Sequence, residues 1–217
     1  MKVNNKVIAD LREDYRAKTL TINEINDNPF LQFQQWFQDA LDSKIKETNA
    51  MTIATVNSNG QPSARIVLLK GFDERGFIFY TNYNSKKGQE LAINPKIAAV
   101  FFWKELERQI RIEGTTTKIS RAASLTYFQS RPKGSQIGAW ASLQSQVIAN
   151  RNILENNVTA LQEKYKEANQ LPIPEHWGGY IIQPSLIEFW QGRSSRLHDR
   201  INYTLADGKW KIERLAP

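Results

Sequence analysis

Residues 189–200 hold the side chains of this chain best suited to binding a planar, anionic ligand. The run contains one of the two histidines of the protein, together with three arginines and an aspartate. The apolar segments at 186–190 and 201–205 predict two strands, so the polar cluster lies in the connection between them, where functional sites are common. A guanidinium is a planar, permanent cation, and an imidazole can donate or accept a hydrogen bond near neutral pH. The pattern therefore indicates a site for a planar anion that accepts hydrogen bonds.

An ion-paired hairpin is an equally simple interpretation of the same residues. Asp199 could pair with Arg196 or with Arg200, as charged groups on protein surfaces often do. The residue types alone leave both interpretations open. If the segment is extended, Arg196 and His198 lie two residues apart and point to the same side, where one ligand could contact both.

A second cationic group lies at the start of a predicted short helix. Ser85 is the expected N-cap, Lys86 and Lys87 occupy the first turn, and Asn94-Pro95 ends the helix. Cations at this end oppose the helix dipole, whose positive pole is at the N-terminus. A bound phosphate would relieve that conflict, because free amides and both lysines would converge on it. A solvated lysine pair is the alternative.

Two further stretches carry cations near predicted strands. Arg65 and Lys70 flank an apolar run, and five positions apart they face opposite sides of a regular strand, so they are expected to serve different ligands or different parts of one ligand. Residues 130–140 read Ser-Arg-Pro-Lys-Gly-Ser-Gln-Ile-Gly-Ala-Trp. Hydroxyls, cations and glycines in one loop can wrap a phosphate, although taken alone this is a weak signal.

Short strands and amphipathic helices are the elements that must position these side chains. Asn28-Pro29 predicts the start of an amphipathic helix, and from residue 50 short apolar runs between strong turn signals predict an antiparallel meander. A long amphipathic helix is expected at roughly 146–168. Residues 1–27 are polar and predict a flexible N-terminal segment. Residues 28–217 predict a single domain, because no linker, repeat or low-complexity segment divides them.

Composition limits the chemistry and the partners. The chain has 217 residues, a formal net charge of +7, two histidines and no cysteine. Thiol catalysis and disulfides are excluded, and no metal site is expected. The excess of cations favours anionic partners such as phosphorylated metabolites, and their dispersal without a recognised motif argues against nucleic acid. No apolar run approaches the roughly 20 residues that span a bilayer, and no signal peptide is evident, so the expected location is the cytoplasm, away from membranes.

Several longer motifs resemble those of the pyridoxine/pyridoxamine 5'-phosphate oxidase family. They follow the family's order from about residue 12 to the C-terminus, and several are long and idiosyncratic, which argues against chance similarity. One departure is Lys86, where the family usually has arginine; the charge is kept, but the planar fork that binds phosphate through two bonds is lost. The matching motifs are Arg65-Ile66-Val67-Leu68-Leu69-Lys70, Phe79-Tyr80-Thr81-Asn82, Glu107-Arg108-Gln109, Tyr127, Ser130-Arg131-Pro132, Ser135-Gln136-Ile137-Gly138-Ala139-Trp140, Gln144-Ser145, Phe189-Trp190-Gln191, Arg196-Leu197-His198-Asp199-Arg200, Trp210-Lys211-Ile212 and Arg214-Leu215-Ala216-Pro217.

The resemblance implies an α+β fold, a split β-barrel with packed helices, that binds flavin mononucleotide (FMN). It also implies a homodimer with FMN in the subunit interface. The FMN contacts that it implies are Arg65, Ile66, Val67, Leu68, Leu69, Lys70, Tyr80, Thr81, Lys86, Lys87, Gln109, Gln144, Ser145, Trp190 and Arg200.

The resemblance also assigns the substrate side. Arg196 and His198 are the catalytic candidates, and the sequence does not decide which group takes the proton in the redox step. The implied substrate contacts are Lys70, Tyr127, Arg131 and Ser135 at the phosphate, Arg196, Leu197 and His198 at the pyridine end, and Arg12, Glu13, Asp14 and Tyr15 in a segment that covers the bound substrate as a lid.

The implied activity is an FMN-dependent oxidase of vitamin B6 metabolism. Pyridoxine 5'-phosphate or pyridoxamine 5'-phosphate becomes pyridoxal 5'-phosphate as a hydride equivalent passes from its C4' carbon to FMN, and dioxygen is reduced to hydrogen peroxide. The amine substrate also releases ammonia. The alternative is a split-barrel flavin reductase or flavin-binding protein with another substrate, and the substrate-side residues Arg131, Ser135, Arg196 and His198 argue against it.

Overall fold

A computed structural model describes Leu11 and residues 13–217 of the chain. We number its five described helices α1 to α5 and its nine described strands β1 to β9. The helices are Pro29–Asp42, Lys86–Ile93, Arg121–Ser130, Lys133–Ala141 and Arg151–Lys164. The strands are Ala50–Val56, Pro62–Leu68, Gly71–Asp73, Gly76–Asn82, Lys96–Trp103, Arg108–Lys118, Trp177–Gln191, Asp199–Ala206 and Lys209–Leu215.

The described chain forms two compact units. The first comprises the described residues up to Thr48, with Val100–Ile112 and Ser185–Pro217. The second comprises Asn49–Ala99 and Glu113–Pro184. The α+β class with antiparallel pairing, expected from the sequence, is confirmed.

The second unit contains helices α2 to α5 and strands β1 to β4. The meander expected from the sequence is wrong, because β1 neighbours β5 and β4 pairs with β7, so the strands do not pair in chain order. The hydrogen-bonded strand order is β2-β1-β5-β6-β7-β4-β3. Ile53 lies opposite Arg65 in the β1–β2 pair, and Tyr80 lies opposite Gly179 in the β4–β7 pair. A Cβ at Gly179 would lie 2.6 Å from Ile119 Cδ1 and 2.9 Å from the Tyr80 ring, so glycine permits both side chains to approach β7. This close approach places an aromatic ring of β4 directly against β7.

The first unit packs α1 against the C-terminal strands. Asn28 accepts a hydrogen bond from the Phe30 N–H through its side chain and so caps α1, as the sequence predicts. Trp36, on the apolar face of this helix, meets Phe189 of β7 edge to face at 5.2 Å between ring centroids. Strand β8 pairs with both β7 and β9, so the stretch singled out in the sequence connects two paired strands.

Two local predictions were wrong. The long helix expected at roughly 146–168 is the shorter α5, Arg151–Lys164, because Asn150 is extended and Val147 and Ile148 therefore lie outside the helix. Residues 130–140 are not a loop, since most of them form α4, Lys133–Ala141. Pro132 starts α4, and Gln136, Ile137 and Ala141 give it a buried face that the glycines in the sequence obscured.

Candidate active site

A cavity of about 450 Å³ opens in the second unit. Strands β2 and β4, the end of α3 and helix α4 supply most of its wall. The lining residues are Ile66, Val67, Leu68, Lys70, Tyr80, Thr81, Asn82, Lys87, Tyr127, Arg131, Ser135, Gly138, Ala139, Ser142, Gln144 and Trp177. Three of these side chains are cations and none is an acid, so the cavity is electropositive and suits an anion.

Arg131 is the cavity cation that has an unsatisfied hydrogen-bond donor. Its Nη1 is buried and has no hydrogen-bond partner in the described protein. Its Cζ lies 4.8 Å above the Trp177 ring, and burial lowers the pKa of the guanidinium. Pro132 fixes Arg131 in an extended conformation at the end of α3, because the residue before a proline is driven out of the helical region. A buried donor without a partner is costly, and an anion in the cavity would satisfy it.

Lys87 is the cation that α2 contributes. Only 9% of Lys87 is exposed, and its Nζ donates to Gln144 Oε1 at 3.3 Å and to Ser85 Oγ at 3.4 Å. Burial, and then the nearby charge of Arg65, lowers the pKa of Lys87. Ser85 caps α2 as predicted, so the helix amides and the ammonium group lie at the same helix end. Lys86, the other lysine of this turn, is largely exposed and does not line the cavity.

Three aromatic rings stack along the cavity wall. The ring centroids of Tyr80 and Tyr127 are 3.9 Å apart at an angle of 18°, and those of Tyr80 and Trp177 are 5.4 Å apart at 11°. Burial raises the pKa of both Tyr80 and Tyr127, so each phenol keeps its proton at neutral pH and can donate a hydrogen bond. Flat apolar faces beside cations suit a ligand with a ring and a phosphate.

Arg65 is held outside the cavity lining by a buried carboxylate. Its Nη2 lies 3.3 Å from Glu90 Oε2, and its guanidinium also donates to the hydroxyls of Thr55 and Ser63. Lys70 lies beyond the end of β2 and lines the cavity. Arg65 and Lys70 therefore face different surroundings, in line with their five-residue spacing.

The first unit contains a separate aromatic cluster around His198. The imidazole lies 4.6 Å from the Trp190 ring, and the Tyr15 ring approaches both, at 6.0 Å and 5.9 Å. The Arg193 N–H donates to His198 Nδ1 at 3.1 Å. Burial, and then the charge of Arg196, lowers the pKa of His198, so the ring is neutral at neutral pH with Nδ1 as acceptor. Its Nε2 then carries the proton and is a donor.

The segment around Arg196 is not extended, contrary to the premise of the sequence argument. Ser194–Arg196 forms a short 3-10 turn, and Ser195 and Arg196 have φ of 57° and 63°. Left-handed backbone is costly for residues other than glycine, and such strain often occurs at functional sites. Arg196 and Leu197 are exposed. The alternation that would point Arg196 and His198 to one side therefore does not apply.

The ion-paired hairpin does form, but Asp199 does not pair with Arg196 or Arg200 as the sequence suggested. Asp199 pairs with Arg193 at 3.1 Å and with Arg214 at 2.7 Å, while Arg200 binds the buried carboxylate of Glu188 through two bonds. Neither Arg196 nor Arg200 pairs with Asp199. Arg196 thus remains exposed at the turn, with no ion pair among the described residues.

The remaining predicted FMN and substrate contacts lie partly in the first unit and partly in the second. Of the other implied FMN contacts, Leu69 and Ser145 lie in the second unit outside the lining, and Gln109 lies in the first unit. Glu13, Asp14 and Tyr15 belong to the first unit, whereas Arg12 lies outside the described residues. Five lining residues were not predicted from the sequence: Asn82, Gly138, Ala139, Ser142 and Trp177. Trp177 was detectable in principle, as an aromatic residue next to Gly178-Gly179 at the start of a strand.

Hydrogen bonds tie the described part of the N-terminal segment to the turn beside His198. Ser195 N–H donates to Asp14 Oδ1, Ser194 Oγ donates to the Tyr15 carbonyl, and Ala17 N–H donates to Glu107 Oε2 at 2.8 Å. A Cβ on Gly192 would lie 2.8 Å from the Tyr15 ring, so glycine permits this contact. The contacts place Tyr15 beside the candidate catalytic histidine.

The fold defines the class of split-barrel proteins, as comparison with solved structures confirms. PhzG from Burkholderia lata 383, in complex with tetrahydrophenazine-1-carboxylic acid, aligns with a TM-score of 0.86 and 28% identity, over 93% of this chain and 99% of PhzG. A pyridoxamine 5'-phosphate oxidase-related, FMN-binding protein from Nostoc punctiforme PCC 73102 shares the fold, with a TM-score of 0.68 and 17% identity over 85% of this chain and 97% of that one.

Sequence comparison identifies the family. Residues 37–165 match the family model for pyridoxamine 5'-phosphate oxidase, and residues 177–217 match that for the pyridoxine 5'-phosphate oxidase C-terminal dimerisation region. A pyridoxine/pyridoxamine 5'-phosphate oxidase of Acaryochloris marina is 59% identical over 97% of this chain and 95% of that protein, and one of Salinibacter ruber is 51% identical over 97% and 99%. The chain belongs to the pyridoxine/pyridoxamine 5'-phosphate oxidase family.

Within the described residues, no helix has the length and apolar character needed to cross a membrane.

Proposed function

We propose that this protein binds FMN and oxidises pyridoxine 5'-phosphate and pyridoxamine 5'-phosphate to pyridoxal 5'-phosphate, with dioxygen as the acceptor. The alcohol and dioxygen give the aldehyde and hydrogen peroxide, and the amine additionally consumes water and releases ammonia. Family membership supports the reaction, and Arg131 supports a phosphorylated substrate. Its buried Nη1 has no partner among the described residues and it lines the cavity, so an anion is the missing partner.

The substrate phosphate is proposed to bind at Lys70, Tyr127, Arg131 and Ser135, which all line the cavity. Arginine offers a planar fork, lysine a point charge, and the two hydroxyls can donate to further phosphate oxygens. Tyr127 stays protonated, because burial raises its pKa. These four groups hold a dianion while the aromatic stack leaves a flat face for a ring.

The groups proposed for FMN fit a phosphate and a ring system. Lys87, at the N-terminus of α2, supplies a cation where helix amides are free, and Gln144 and Thr81 supply polar atoms on the same cavity. The backbone and side chains of Ile66, Val67 and Leu68 supply an apolar wall. FMN, when bound, supplies the two-electron acceptor for the hydride equivalent leaving C4'. The chain binds and orients the two rings and neutralises their phosphates.

The pyridine end of the substrate is proposed to meet Arg196 and His198. Arg196 is exposed on the turn after β7, and His198 is neutral, with a proton available on Nε2. Arg196 can donate to a phenolate or ring nitrogen without ever losing its own charge. Tyr15, which packs on Trp190 and His198, is proposed to cover the bound substrate.

The protein is proposed to act as a homodimer with FMN in the subunit interface. The match of residues 177–217 to a dimerisation region supports the assembly. Ile66 and Leu68 line the cavity and are 69% and 37% exposed, although they are apolar residues of β2, the terminal strand in the sheet order. Exposed apolar side chains grouped at a cavity mouth are typical of a surface that a partner covers.

A peroxide assay on the flavin-loaded protein tests the function. Pyridoxamine 5'-phosphate should yield pyridoxal 5'-phosphate, ammonia and one peroxide per turnover, and unphosphorylated pyridoxamine should react far more slowly. A protein that carries FMN, produces no pyridoxal 5'-phosphate and instead consumes a reduced nicotinamide would be the flavin reductase alternative. A protein that retains no flavin on purification or titration would contradict both.

A further inference from the structure

Glu90 of α2 is a buried carboxylate that faces the cationic side of the proposed FMN site. Only 4% of Glu90 is exposed. It accepts hydrogen bonds from Thr55 Oγ1 at 2.5 Å and Ser63 Oγ at 2.9 Å, and its Oε2 lies 3.3 Å from Arg65 Nη2. Burying a carboxylate is unfavourable unless charge and hydrogen bonds compensate, so this arrangement needs a reason.

The surroundings of Glu90 contain more positive than negative charge. The Arg65–Glu90 pair joins the guanidinium to α2, where Lys87 lies three residues before Glu90, and the charge of Arg65 lowers the pKa of Lys87 while Glu90 raises it. Lys86 Nζ lies 3.9 Å from Glu90 Oε1, although this lysine is largely exposed. Without Glu90, two cations, one buried and one largely buried, would repel each other, and the flexible arginine side chain would turn towards solvent.

We propose that Glu90 is a positioning residue for FMN: it holds the Arg65 guanidinium beside Lys87, so that both cations are in place before the flavin phosphate arrives. The inference rests on the proposed FMN site and on Arg65 as one of its phosphate contacts, which the family resemblance implies. Thr55 and Ser63 complete the arrangement, because each hydroxyl donates to Glu90 and accepts from Arg65. The guanidinium is therefore fixed on two sides by β1 and β2 and on the third by α2.

Two effects of the Glu90 charge oppose each other. The carboxylate reduces the positive potential felt by a phosphate, which weakens binding, and it pre-orders Arg65, which strengthens binding. Pre-ordering should dominate, because a charge-assisted hydrogen bond from a fixed guanidinium is worth about tenfold or more in affinity. Loss of Glu90 should therefore weaken FMN binding, and only through the phosphate.

The test is fluorescence titration of the apoprotein with FMN and with riboflavin, which lacks the phosphate. The wild type should strongly prefer FMN. Glu90→Gln should weaken FMN binding by about tenfold or more and leave riboflavin binding within about twofold, so that the preference collapses. Asp39→Asn is the matched control: it breaks the Arg108–Asp39 pair of 2.6 Å in the first unit and should leave the preference intact.

A double-mutant cycle with Arg65→Ala shows whether Glu90 acts through the arginine. In the Arg65→Ala background, Glu90→Gln should have no further effect on FMN affinity. The double variant removes both partners of the Arg65–Glu90 pair, so neither is left without the other, and it remains measurable even if Glu90→Gln alone does not fold. In that case Glu90→Asp, which keeps the charge and shortens its reach, replaces Glu90→Gln and should lower the preference for FMN.

Several results would overturn the inference. An unchanged or stronger preference for FMN in the Glu90 variants would show that the carboxylate does not position a phosphate ligand. Full FMN affinity in Arg65→Ala, or a Glu90 effect that persists in that background, would show that it does not act through Arg65. A wild type that binds FMN and riboflavin equally would instead contradict the proposed FMN site itself.

Discussion

Replacing Arg131 with methionine should change stability and activity in opposite directions. Arg131 is half-buried over the rings of Trp177 and Phe128, and its buried Nη1 has no hydrogen-bond partner among the described residues. An unsatisfied buried donor costs about 1–3 kcal/mol. Arg131→Met removes this cost, but it also removes the favourable cation–π contact with Trp177, which is worth about 0.5–1 kcal/mol. The substrate-free protein should therefore keep its stability or gain as much as ~2.5 kcal/mol.

The same substitution should selectively slow the reaction of the phosphorylated substrate. Two charge-assisted hydrogen bonds from the guanidinium fork to the phosphate contribute about 3 kcal/mol or more, so kcat/KM for pyridoxamine 5'-phosphate should fall roughly 10²-fold. The value for unphosphorylated pyridoxamine should hardly change. Steady-state peroxide kinetics with both substrates, together with thermal unfolding of the substrate-free protein, measure the two effects. At about 2–4 °C per kcal/mol for a protein of this size, Tm should stay level or rise by several degrees.

Arg131→Lys is the matched control. It keeps the charge and loses the fork, so its activity should fall between those of wild type and Arg131→Met. Equal losses for both substrates in Arg131→Met would show that Arg131 shapes the site without binding phosphate. A Tm lowered by several degrees would show that the guanidinium already has favourable partners in the free protein, and the argument from its unpaired Nη1 would be wrong.

Four further predictions concern other parts of the molecule. FMN affinity should decline as pH rises through the lowered pKa of Lys87, because only its charged form attracts phosphate, and Lys87→Arg should move that decline to higher pH in a fluorescence titration. Gly192→Ala should displace the Tyr15 ring and raise KM with normal flavin content, since the new Cβ would lie 2.8 Å from that ring. Arg196→Ala should lower kcat/KM by ~10²-fold or more and His198→Ala by less, both with normal flavin content; loss of flavin in Arg196→Ala would contradict its assignment to the substrate. Sedimentation should show a dimer that releases flavin on dissociation, and a monomer with tightly bound flavin would contradict the proposed assembly.

Local features were predictable from the sequence because their causes are local. The N-caps Asn28 and Ser85 each accept a hydrogen bond from a backbone N–H two or three residues on, so a few neighbouring residues specify each helix start. Short apolar runs between strong turn signals likewise predicted the antiparallel strands. The cationic end of α2 was recognised because lysines in a first turn oppose the helix dipole, a conflict that the sequence alone displays.

Charge partners were not predictable, because they depend on strand register. Asp199 binds Arg214, fifteen residues away, since β8 and β9 pair with Arg200 opposite Leu215. The 3-10 turn with left-handed Ser195 and Arg196 was also missed: neither residue is a glycine, so no residue type signals positive φ there. The spacing of residues along the sequence specifies neither long-range pairing between strands nor strained backbone conformations.

The cations of this chain therefore fall into two groups that the sequence cannot separate. Arg65 and Arg200 each meet a buried glutamate, Glu90 or Glu188, and these carboxylates fix their guanidinium groups before any ligand binds. Arg131 is half-buried with a cation–π contact to Trp177, yet its buried Nη1 has no acceptor in the described protein. An unsatisfied buried donor is costly, so this nitrogen gains an acceptor when a phosphate ligand binds. Fixed, pre-paired arginines suit a cofactor that stays bound, whereas an arginine left unsatisfied gains most from a phosphate that arrives with each substrate molecule.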